Sequence, residues 1–127
     1  KKSLHMKCGR TDLCEVQEIK GKYQVTWNKY ITGLDVYSEK VYILLDMILK
    51  GCKSWDVGIV LTNGYVLWLN CTVIETLDKN TILDYLIRAG NVRDHREVLG
   101  AVFDNMEDVE RFTDRLEKKY IVHVLKQ

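Results

Sequence analysis

Residues Trp55–Thr72 read WDVGIVLTNGYVLWLNCT, two apolar, β-rich runs that meet at Asn63-Gly64. An Asn-Gly pair supplies the two positive φ angles of a type I′ turn, so the segment is expected to be a two-residue hairpin. Thr62 is then opposite Tyr65, Leu61 opposite Val66, and Ile59 opposite Trp68. Strand alternation sends Trp55, Val57, Ile59, Leu61, Val66 and Trp68 to one face, and Val60, Tyr65, Leu67 and Leu69 to the other. Both faces are apolar, so the hairpin is expected to need cover on each side, from the chain itself or from a partner.

Outward from this hairpin, Leu13–Ile19 and Tyr23–Trp27 flank Lys20-Gly21-Lys22 and predict a second one. Tyr37, Val41, Leu44, Leu45 and Ile48 recur at helical spacing, with Gly51 at the C′ position and Ser38 or Asp35 as candidate N-cap. Asp78 or Asn80 caps a helix carrying Ile82, Leu83, Leu86 and Ile87, closed by Gly90-Asn91. Residues Asn91–Glu97 read as a loop and Val98–Phe103 as a strand. Asn105 caps a last helix striped by Met106, Val109, Phe112, Leu116 and Tyr120, with acids at its start and Lys118-Lys119 near its end. Ile121–Leu125 is β-branched and reads as a further strand, making Val98–Leu125 a parallel β-α-β unit. The expected fold is a single α+β domain over residues 1–127, order ββαββαβαβ. It comprises a mixed sheet of five or six strands with three helices. Residues 1–12 are expected to form a loose arm, and Lys1–His5, preceding Met6, read as a candidate vector-derived leader.

The 127 residues are 46% hydrophobic and 29% charged with a net charge of +1, the profile of one globular domain without a global pull toward polyanions. No apolar run reaches spanning length and no apolar stretch follows Lys1-Lys2, so an intracellular, cytoplasmic protein is expected, with no membrane partner. In that setting Cys8, Cys14, Cys52 and Cys71 are read as thiols rather than a disulfide framework, and the Asn70-Cys71-Thr72 sequon as chance.

Chemistry-bearing patterns are sparse. Five residues separate Cys8 from Cys14, too many for a zinc knuckle. A set of His5, Cys8 and Cys14 with His95 or His123 is conceivable in space but not demanded by spacing, and no metal or other cofactor is expected. Cys52 and Cys71 lie in no nucleophile context. The acids Asp35, Asp56, Glu75, Asp78 and Asp84 form no motif, and the eight glycines are dispersed as turn and cap residues. An enzyme is therefore not the favoured class.

Two binding readings remain. Three Trp, seven Tyr and two Phe fall mostly between Tyr23 and Trp68. Trp27, Tyr30, Trp55, Tyr65 and Trp68 are candidate anchors for another protein or a second copy, aromatics being the usual interface anchors. The favoured function is thus a small non-enzymatic protein acting by protein-protein contact, for example a phage or mobile-element accessory protein that inhibits or modulates a host factor. The alternative is a nucleic-acid-binding regulator using the basic N-terminal arm, with Lys20, Lys22 and Lys29, and the group Arg88, Arg93, His95 and Arg96. There Tyr23, Trp27 and Tyr30 would stack on bases. Interleaved acids (Asp12, Glu15, Glu18, Asp94) dilute that basic surface.

Overall fold

The structure is a computed structural model that describes residues 2–8, 11–27, 36–52, 56–70 and 78–125. In chain order these form β1 (Lys2–Cys8), β2 (Thr11–Ile19), β3 (Lys22–Trp27), α1 (Val36–Leu49), β4 (Asp56–Leu61), β5 (Val66–Asn70), α2 (Lys79–Ala89), a single 3-10 turn (His95–Glu97), β6 (Val98–Phe103) and α3 (Met106–Leu125). The domain is α+β, as the hydrophobic periods require. Its six strands form one sheet in the order β1-β2-β3-β6-β4-β5, and every ladder is antiparallel.

Three features differ from the sequence expectation. The N-terminal arm is not loose: Lys2–Cys8 is an edge strand paired with β2. The final strand is absent, because α3 continues through Ile121–Leu125. Once a helix is nucleated each added residue contributes a hydrogen bond, and no glycine or proline interrupts this one, so the local β preference of Ile121–Leu125 is overridden. With Ile121–Leu125 helical, Val98–Leu125 is not a parallel β-α-β unit, and among the described residues the sheet is not mixed.

The third difference is the hairpin register. The β4–β5 loop has three residues, Thr62-Asn63-Gly64, closed by Leu61 N–H donating to Tyr65 C=O at 2.9 Å and Gly64 N–H donating to Leu61 C=O at 3.1 Å. Gly64 has φ +91°, whereas Asn63 is not in the positive-φ region, which excludes a type I′ turn here. Asn63 instead uses its side chain. Oδ1 accepts from Tyr65 N–H at 3.1 Å and Nδ2 donates to Gly90 C=O at 2.8 Å, stitching the turn to the end of α2. The two-residue turn with positive φ at both positions is found at Lys20-Gly21 (φ 52° and 78°).

A one-residue change of loop length exchanges the faces of β5. Gly58 is opposite Trp68, Ile59 opposite Leu67 and Val57 opposite Leu69. Leu67 and Leu69 thus join Val57, Ile59 and Leu61 on one side. That side, with Cys14, Val16, Val25, Trp27, Ala101 and Phe103, packs against Val41, Leu44, Leu45 and Ile48 of α1, Ile82 and Leu86 of α2, and Val109, Phe112 and Leu116 of α3. Phe112 sits between Trp27 and Phe103 at centroid separations of 6.1 and 5.9 Å. Asp78 caps α2 by accepting from Thr81 N–H at 2.8 Å, and Asn105 caps α3 by accepting from Asp108 N–H at 2.9 Å. Asp46 of α1 pairs with Lys79 at 2.5 Å and Lys50 at 3.1 Å, tying α1 to α2.

Candidate interaction surface

The face opposite the helices carries Glu15, Gln17, Lys22, Gln24, Thr26, Gly58, Val60, Val66, Trp68, Gly100 and Val102 by strand parity. Val60 and Val102 are buried there yet stand outside the helix-side core. Among the described residues no helix packs on this face. The register aligns Gln17, Gln24, Val102, Gly58 and Trp68 in one row across five strands.

Trp68 ends that row and is 49% exposed. Its position is built from its neighbours. Gly58, directly across from it, has no side chain, and a Cβ there would stand 3.1 and 3.2 Å from two atoms of the indole and 2.8 Å from Val66 Cγ1. The ring therefore lies over the glycine, a close approach that only Gly permits in a strand interior. Lys22 of β3 reaches the same ring, with Nζ 5.2 Å from its centroid, and is itself held by Asp104 at 2.5 Å. A cation over an indole adds about 0.5–1 kcal/mol at an exposed site. An aromatic side chain held in place before binding loses little freedom on contact, which favours its use as an anchor.

The sequence-named residues distribute unevenly over this surface. Trp68 is on it, and Tyr65, 67% exposed, stands at the adjoining hairpin turn. Trp27 is not an anchor: it is 2% exposed, packs on Phe112, and donates from Nε1 to Val98 C=O at 3.1 Å. Its strand parity points it at the helices, so size and polarity alone misassigned it. Tyr30, Trp55 and Lys29 lie outside the described residues. Tyr23 is partly buried against the core rather than displayed for stacking.

The basic residues do not converge. Lys20 lies in the β2–β3 turn and Lys22 just after it, beside the end of β6 at Phe103, while Arg93 and Arg96 precede its start at Val98 and Arg88 is in the last turn of α2. A six-residue strand separates the two groups by about 17 Å. Lys22 pairs with Asp104, and Arg96 pairs with Asp94 at 2.8 Å. Asp94 caps the 3-10 turn, and the Arg96 side chain and backbone N–H hold its carboxyl down at about 2.

The candidate chemical residues hold structural posts. Asp78 is a helix cap, Asp56 accepts from Asn70 Nδ2 at 3.3 Å, and Asp84 is exposed on α2. Cys14 and Cys52 are buried thiols, whereas Cys71, Asp35 and Glu75 lie outside the described residues. Among the described residues no three or more His, Cys, Asp or Glu are grouped to hold a metal ion, and no helix is long and apolar enough to cross a membrane.

Sequence reasoning missed Lys22 and Gly58 as parts of the Trp68 platform. An isolated glycine inside a strand pattern was the available signal for Gly58, since it marks close approach of another group. No protein-family model, curated protein sequence or solved structure matches the chain.

Proposed function

We propose that the protein acts by contact with another protein through the sheet face on which no helix packs among the described residues, with Trp68 as the anchor. The single observation that carries this reading is the half-exposed indole seated on Gly58 and pinned by Lys22. An aromatic platform beside buried Val60 and Val102, rimmed by Gln17, Gln24 and Glu15, has the apolar centre and polar margin of a protein interface. The concrete form is a small accessory protein that modulates its target by occupying a surface, without chemistry of its own. The split basic groups give the nucleic-acid alternative less support, because a phosphate-tracking surface needs its cations together.

Replacing Tyr65, exposed at the adjoining turn, with a photoreactive phenylalanine analogue tests this in lysate of the source organism, with the same analogue at exposed Tyr85 of α2 as control. A discrete protein adduct at position 65 and not at 85, competed by wild type but not by Trp68→Ala, is expected. Equal adducts at both positions, or none, would refute the reading. A salt-dependent gel shift lost in Lys20→Ala/Lys22→Ala would favour nucleic acid instead.

A further inference from the structure

We infer that Asp46 and the three cations gathered on it, Lys50, Lys79 and Arg115, form a seat for one phosphate group on the outer side of the helix layer. The site lies across the sheet from Trp68 and goes beyond the contact proposed above, so neither depends on the other. In α1, Val41, Ile43, Leu44, Leu45, Met47 and Ile48 are all buried. Tyr42, Asp46 and Lys50, spaced one turn apart, form the stripe that the same helix turns toward the surface.

Three helices meet at Asp46. Lys79, the first residue of α2, reaches Oδ1 at 2.5 Å, and Lys50 of α1 reaches Oδ2 at 3.1 Å. Arg115 of α3 has a guanidinium nitrogen 3.9 Å from Oδ2. The Lys79 hydrogen bond, more than that of Lys50, holds the Asp46 carboxyl below its ordinary range, so it is ionised at neutral pH. One negative charge is therefore shared by three positive ones. Among the described residues none of these cations pairs with another acid, and Glu107 and Asp114 of α3 are engaged by Arg111 and Lys118. Two positive charges are left over at one point of the surface.

That point is open to an incoming group. The Lys50 side chain is 63% exposed, and those of Lys79 and Arg115 are 39% exposed. Arg115 is the most available donor, since 3.9 Å is beyond hydrogen-bond length and its fork is not committed to Asp46.

The arrangement selects the anion. The cations converge on one carboxylate, so they suit a compact group rather than a polymer, whose phosphates need cations along a track. A phosphate monoester carries about −1.5 to −2 charge at pH 7 and three acceptor oxygens, which matches the surplus charge and the number of donors. A lone carboxylate brings only a single charge. The Arg115 fork adds the two-pronged geometry that phosphate accepts. The group is carried by a small molecule or by a phosphorylated side chain of a protein, and the test separates these.

The test is an NMR titration of the whole chain at about pH 7.5, where phosphate is mostly dianionic, with chloride balancing ionic strength. Inorganic phosphate is expected to shift the Arg115 Nε–H and Lys79 resonances saturably, with half-saturation below about 10 mM. Arg115→Gln and Lys50→Gln are each expected to weaken that binding at least about fivefold, whereas Lys20→Gln, an equal loss of charge on the β2–β3 turn, leaves it unchanged. Free phosphoserine and a library of phosphoserine peptides then identify the carrier. Peptides bound at least about tenfold more tightly assign it to a protein, and equal affinity assigns it to a small molecule. Shifts that grow without saturating, shifts reproduced by chloride alone, or an equal loss of affinity in Lys20→Gln would each overturn the site.

Discussion

Lys40 carries the largest mismatch between residue and surroundings. It lies on α1, 1% exposed, with Nζ 6.0 Å from the centroid of the Trp27 ring. Burial pushes its ammonium down from 10.5 to about 8, with a smaller opposing pull from Cys14. The unfolded chain holds that proton more tightly than the folded one, so unfolding takes up a proton between about pH 8 and 10.5. Stability contributed by this group is therefore lowest below pH 8 and rises through that window. Wild type should gain up to about 3 kcal/mol relative to Lys40→Met between pH 7 and 10.5, read from denaturant unfolding at each pH. Parallel curves for the two proteins would contradict the assignment. Nothing in the sequence marks this lysine, since a single basic residue beside a helical stripe is normally solvated. Trp27 was misassigned for the converse reason, its burial being decided by register with β6 rather than by residue type.

At the scale of elements, two of the helix caps were legible because they are local: Asn105 was named as a cap and Asp78 as one of two candidates, and both act as such, whereas Ser38, offered for α1, lies inside that helix and Asp35 outside the described residues. Loop length was not legible, because Asn63-Gly64 fits both a two-residue turn and a three-residue turn ending in a positive-φ glycine. What decides between them is non-local. Asn63 Nδ2 bonds Gly90, and the three-residue loop unites five large apolar residues on the helix side. The expectation that both faces of the hairpin are apolar stands, but the membership of the faces changes, and with it the position of Trp68. The seat beneath the indole has an energetic consequence. Gly58→Ala drives a methyl into Trp68 and Val66 and should destabilise by about 1–2 kcal/mol. In a Trp68→Ala background the same change should cost about 1 kcal/mol less, a coupling that a double-mutant cycle in urea measures. Equal costs in both backgrounds would mean that the ring does not rest on Gly58.

For the whole molecule, the α+β class followed from alternating hydrophobic periods, but the distribution of cover did not. The sequence reading asks for cover on both sides of the central hairpin, from the chain or from a partner, whereas α1, α2 and α3 all contribute to one core on one side of the sheet. The difference arises because helix placement depends on connections and on the insertion of β6 between β3 and β4, neither of which periodicity encodes. One apolar side is thus satisfied within the fold, and the other ends in a half-exposed tryptophan at an uncharged edge. The proposed contact through this face depends on Trp68 lying on that side. The most direct test is nuclear Overhauser contact to the Trp68 indole protons in the folded protein at low concentration. Cross-peaks to the Gly58 Hα protons and the Lys22 side chain are predicted. Cross-peaks to Ile59 or Phe112 would put the ring in the core, restore the two-residue turn, and contradict the surface on which the proposed contact stands.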